Sequence, residues 1–132
     1  MTYQLNDYSI STNGTPFQFQ IADWSALEKR LQKYRAEEPK FIDLIAPNGD
    51  VMALGIGGEW GHAMYMDSSG NPPYLSTRWD ESESGDFIEF DVGGTLTPIL
   101  QFKCVPYDIL LQIAKWFVQN GTLYPDVNWG ED

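Results

Sequence analysis

Apolar residues recur along this chain in two rhythms. Trp24, Leu27, Leu31 and Tyr34 follow one another at steps of three, four and three, which is one face of a helix. The spacing predicts a helix from about Asp23 to Glu37. Ser25 with Glu28 three places on has the form of a capping box, and Asp23 is a competing cap. Lys29, Arg30 and Lys33 lie on the polar side and toward the C-terminus, where the helix dipole favours cations. Pro39 ends the element. A second helical rhythm runs through PYDILLQIAKWFVQNG, near residues 106–120. Ile109, Leu110, Ile113, Ala114, Phe117 and Val118 make a broad apolar face. Pro106 suits the first helical position and Gly121 the C-terminal cap. Leu27, Leu31, Ile109, Ile113 and Phe117 are expected to be buried.

Between these segments the period shortens to that of strands. FIDLIAP and VMALGIG, joined by Asn48-Gly49, read as a β-hairpin. GHAMYMD and YLSTRW suggest a second strand pair. FIEFDV and TLTPILQF follow as strands, separated by Gly93-Gly94. FQFQI before the first helix and VNW near the end are further candidates. In Phe87-Ile88-Glu89-Phe90-Asp91 the alternation puts Glu89 and Asp91 on one face and Phe90 on the other. Strands gathered between two helices predict an α+β domain with a largely antiparallel sheet of about six strands. A doubly wound fold would need strands and helices to alternate.

Charge sharpens this picture. The net charge is −11, and its distribution is uneven. Residues 1–40 hold five basic and five acidic residues; residues 41–132 hold three basic and fourteen acidic ones. Six of the thirteen residues in WDESESGDFIEFD (79–91) are acidic: Asp80, Glu81, Glu83, Asp86, Glu89 and Asp91. Such a surface repels phosphate backbones, which argues against direct nucleic-acid binding. It attracts basic proteins and speeds their capture. The 132 residues fit one domain, 1–132. No window approaches the roughly 20 apolar residues of a membrane helix. The N-terminal segment lacks the basic start and apolar centre of a signal peptide, and the single cysteine excludes an intrachain disulfide. A soluble cytoplasmic protein is the expectation.

The candidate chemistry is thin. GIGGEWG (Gly55–Gly61) has Trp60 where a dinucleotide fingerprint needs glycine, and a strand follows where a helix should. A tight turn or bulge accounts for it. His62 is the only histidine, so with one cysteine an ordinary zinc site cannot be built. A Cys104–His62 dyad is conceivable, but Cys104 ends an apolar run, ILQFKCV, that reads as a strand with an inert thiol. Counted from Asp80 as a calcium loop, Gly85 falls at position six, but position twelve is Asp91 rather than glutamate and no helices flank it. A pair of carboxylates for glycoside hydrolysis comes without a cleft signature. No catalytic set, cofactor or metal is expected.

The C-terminal third carries a resemblance. VPYDILLQIAKWFVQNGTLYPDVNWGED resembles the end of the first numbered Imm family of bacterial immunity proteins, found beside polymorphic toxins. The matching residues are Pro106, Ala114, Trp116, Phe117, Gly121, Pro125, Trp129 and Glu131. Upstream, the helix with Asp23, Trp24, Leu27 and Leu31, then FIDLIAPNGDVMALGIGG and a tyrosine-containing strand, resemble the family's first half. The resemblance implies an α+β immunity protein, without catalysis, that binds a cognate toxin, often a deaminase or nuclease. It does not identify toxin-facing residues. The acidic run supplies candidates: Glu81, Glu83, Asp86, Glu89 and Asp91 would pair with toxin Lys and Arg, with Trp60, Tyr65, Tyr74 and Trp79 as aromatic anchors. A small carboxylate- or metal-dependent hydrolase is the alternative, and a scaffolding domain a third.

Overall fold

The computed structural model describes residues 3–7, 17–37, 39–79, 86–92 and 95–131; of residues 17, 91, 92 and 95 it describes the backbone alone. The chain opens with β1 (Tyr3–Asp7), β2 (Phe17–Ile21) and α1 (Trp24–Arg35). Six strands follow: β3 (Lys40–Ile45), β4 (Val51–Gly57), β5 (Trp60–Met66), β6 (Leu75–Arg78), β7 (Phe87–Val92) and β8 (Thr95–Leu100). A 3-10 turn (Gln101–Lys103), the short β9 (Val105–Pro106), α2 (Tyr107–Asn120) and β10 (Asn128–Glu131) complete it.

Seven strands lie side by side in the order β10-β6-β5-β4-β3-β1-β2, and every neighbouring pair is antiparallel. β9 adds to β5, and the β7–β8 hairpin joins β3 through one parallel bridge, Lys40 opposite Asp91. The α+β expectation holds, but among the described residues the sheet has ten strands rather than about six. The addition that matters most is β1, inserted between β2 and β3.

Both helices cover one face. Leu27, Leu31 and Tyr34 of α1 and Leu110, Ile113, Ala114 and Phe117 of α2 are buried. They meet Leu5, Ile42, Leu44, Met52, Leu54 and Ile56 from three adjacent strands, β1, β3 and β4. Each fully buried Leu or Ile here stabilises the fold by roughly 1.5–3 kcal/mol. Ile109 and Val118, on the flanks of the α2 face, are only half-buried. Of the two competing caps on α1, Asp23 is the one used: its carboxylate accepts from Ala26 N–H at 2.9 Å. Gly121 closes α2 in the left-handed conformation, φ 73°. GIGGEWG is a tight turn: Gly57 pairs with Trp60, and Gly58 between them has φ 67°. Arg35 ties α1 to that turn, its Nε donating to Gly58 C=O at 2.9 Å.

A buried ion pair stands where the core pattern would place apolar side chains. Lys40, 4% exposed, donates to Asp7 at 3.3 Å and to Glu37 at 2.8 Å, and its Nζ lies 4.1 Å from the Tyr34 ring centroid. A buried ammonium persists only with such partners. Lys40 thereby links β1, the end of α1 and, through its backbone, β7.

The opposite face of the sheet is covered locally by the β7–β8 hairpin. Phe90 is fully buried and meets Phe41 edge-on, ring centroids 5.2 Å apart. Gly55 leaves the room: a Cβ there would stand 2.7 Å from Phe41 Cε1 and 3.0 Å from Phe90 Cε1. The run ILQFKCV is not one strand; β8 stops at Leu100, and the 3-10 turn lets the chain cross to β9 beside β5.

Candidate functional site

The acidic stretch enters the described structure at Asp86 and continues as β7. Its pairing with β8 is regular: Phe87 opposite Leu100, Ile88 opposite Ile99, Glu89 opposite Pro98, Phe90 opposite Thr97 and Asp91 opposite Leu96. Side chains alternate between faces. Ile88, Phe90, Thr97 and Ile99 turn toward the sheet, and Phe87, Glu89, Leu96 and Pro98 turn away from it. The outward set is exposed, Phe87 by 58% and Leu96 by 66%. These two, with Trp79 at 43%, are the exposed large apolar side chains among the described residues.

Backbone bonds hold the base of the hairpin. Trp79 N–H donates to Phe102 C=O at 2.8 Å, and Gln101 N–H donates to Asp86 C=O at 2.9 Å. Trp79 and Asp86 are therefore pinned to adjacent residues, Phe102 and Gln101. Glu81 and Glu83, with Asp80, lie outside the described residues. Asp86 and Glu89 are exposed beside Phe87; Asp91 is placed by its backbone in β7.

The other proposed anchors separate from this face. Tyr65 sits on the helix side of β5, its ring edge-on to Phe117 at 6.5 Å and its hydroxyl donating to Asp50 at 2.9 Å. Burial, then the Asp50 carboxylate, pushes its pKa up to about 12. Asp50 also accepts from Ser68 N–H, so Tyr65 belongs to the clamp between the β3–β4 turn and the loop after β5. Tyr74 donates to Gly70 C=O within that loop at 2.8 Å. Trp60 is half-buried at the start of β5, opposite Gly57 and Pro106. Of the four aromatic anchors, Trp79 is tied through its backbone to the base of the hairpin.

Phe87, Leu96 and Pro98 did not figure among the sequence candidates, although signals for them exist. The alternation that groups Glu89 with Asp91 also groups Phe87 with them. A proline inside a strand pattern marks an edge, and β8 pairs with β7 alone.

The two reactive residues, Cys104 and His62, are both buried. Cys104 is fully buried and its thiol donates to Leu100 C=O at 3.8 Å. Burial pushes its pKa up to about 12, which keeps it protonated at neutral pH. His62, 2% exposed, uses Nδ1–H toward Lys103 C=O at 2.9 Å, a carbonyl that also accepts from Thr77 Oγ1 at 2.7 Å. Among the described residues no group of three His, Cys, Asp or Glu side chains could hold a metal. No helix of the described residues is long and apolar enough to cross a membrane. A cleft of about 430 Å³ lies between Tyr3, the β3–β4 turn and the end of α2, and is lined by Pro47, Asn48, Val118 and Gln119. The outward face of the hairpin offers apolar side chains and carboxylates together. No protein-family model matches the chain, and no curated protein matches it.

Proposed function

We propose that this chain is an immunity protein that binds and neutralises a cognate bacterial toxin inside the producing cell. The toxin is a basic, nucleic-acid-acting enzyme of the deaminase or nuclease class. The chain acts by occlusion rather than catalysis: it covers the toxin's active site or nucleic-acid groove. One observation carries the reading. The described part of the acidic run is displayed on a ribbon that also exposes Phe87 and Leu96, and carboxylates beside exposed apolar surface suit a protein with a cationic groove. Glu89 and Asp86 meet Lys and Arg side chains that otherwise hold phosphate. Such rim pairs raise the association rate, and the net charge of −11 steers the approach. The resemblance of the C-terminal third to immunity proteins supports the same conclusion.

The test is co-expression. Cells producing the toxin domain encoded beside this chain should survive when the chain is present, and the two should co-purify. Cell death at wild-type levels of the chain, with no co-purification, overturns the reading.

A further inference from the structure

We propose that Phe87 and Leu96, on the outward face of β7–β8, are the affinity-determining contacts for a basic protein partner. The partner presents an apolar depression rimmed by Lys and Arg. This inference rests on the reading of the chain as a toxin-binding protein and assigns the surface and the division of labour within it.

A strand folded over a sheet buries one face and leaves polar groups on the other. The inward face obeys: Phe90 is fully buried against Phe41. The outward face does not, since Phe87 is 58% and Leu96 66% exposed on opposite strands of one ribbon. Leu96 stands two residues along β8 from Pro98, which faces Glu89, and Phe87 stands two residues along β7 from Glu89. Glu89 and Pro98 therefore lie between the two apolar side chains. Six residues of strand span about 20 Å, so the outward face of the ribbon is an extended surface. Trp79, also exposed, is pinned through its backbone to Phe102 at the base of the ribbon.

Charge chooses among the occupants. A second copy of the chain would bring another −11 against Asp86 and Glu89. Nucleic acid and an anionic membrane are repelled for the same reason. Strand addition at the open edge of β8 is blunted by Pro98, which has no N–H to donate there. The side-chain face is what remains for recognition, and a cationic protein is the occupant whose charge complements it. Desolvated apolar anchors set how long such a complex lasts, and carboxylates at the rim set how fast it forms.

The experiment uses the full chain and the neighbouring toxin domain, inactivated in its catalytic residue. Binding kinetics are measured for wild type, for Phe87→Ser/Leu96→Ser and for Asp86→Asn/Glu89→Gln. Hydrogen–deuterium exchange of the wild-type complex is recorded alongside. The apolar pair should raise the dissociation rate by roughly thirtyfold with little change in association. The charge pair should do the reverse, slowing association. Residues 86–100 should gain protection in the wild-type complex, a readout independent of how the variants fold. Unchanged dissociation in the apolar variant, or protection confined to α1 or the Tyr3 cleft, overturns this surface while toxin binding stands. Absence of any binding by wild type overturns the toxin reading and this inference with it. A salt-resistant dimer of the chain alone, lost in Phe87→Ser/Leu96→Ser, would make the face a self-interface and also overturn the proposal.

Discussion

β4 and β7 are strands of similar length with opposite surroundings. β4 lies between β3 and β5, and six of its seven residues are buried. Helices cover one of its faces, and on the other Gly55 lies against Phe41 and Phe90. β7 has β8 on one side, a single bridge to β3 on the other, and one covered face. Its buried Phe90 alternates with exposed Phe87 and Glu89. A strand covered twice contributes stability and has little surface to offer. A strand covered once can give its second face to binding. Substitutions in the two strands should therefore separate into effects on folding and effects on recognition.

The largest folding effect is expected at the junction that serves both regions. Lys40→Ala strands the buried Asp7 carboxylate and should cost about 3–5 kcal/mol in denaturant unfolding. A loss below about 1 kcal/mol would mean that the junction tolerates an open charge. Next comes the direct contrast. Leu54→Ala in β4, fully buried, should cost about 2–5 kcal/mol, whereas Leu96→Ala on β8 should stay within about 0.5 kcal/mol. Equal losses would break the distinction between covered and open strands. Gly55→Ala is a smaller perturbation with a directed consequence. Its Cβ drives Phe41 and Phe90 apart and should cost about 1–3 kcal/mol. Amide exchange should quicken in β7–β8 more than in β1–β2. The smallest folding effect belongs to Asp86→Asn/Glu89→Gln, within about 0.5 kcal/mol, because exposed carboxylates contribute little to stability.

The same contrast explains what could be read along the chain. Leu27, Leu31, Ile113 and Phe117 announced both helices because local spacing alone decides which side of a helix is apolar. The hairpin around Asn48-Gly49 was legible from its turn. β1 was not. Leu5 and Asp7 both face the helices, but Asp7 is acidic, and its burial goes with an ion pair to Lys40, thirty-three residues away. A long-range ion pair leaves no periodic trace. The break in ILQFKCV was equally hidden, since it follows from where β9 must pair. At the candidate site the carboxylates were visible as composition, and the exposed apolar partners were not. Phe87 and Leu96 look like core residues until the register shows that the sheet lies on the other side of the ribbon.

Association kinetics at varied ionic strength test the central claim most directly. Wild-type chain and Asp86→Asn/Glu89→Gln are mixed with the inactivated toxin domain in stopped flow, from low to physiological salt. The account predicts a wild-type association rate that falls steeply as salt rises, and a variant that is several-fold slower at low salt. The two should converge as the Debye length shrinks toward about 8 Å at physiological ionic strength. Identical rates for the two proteins across the series would contradict it and place the interface away from the hairpin.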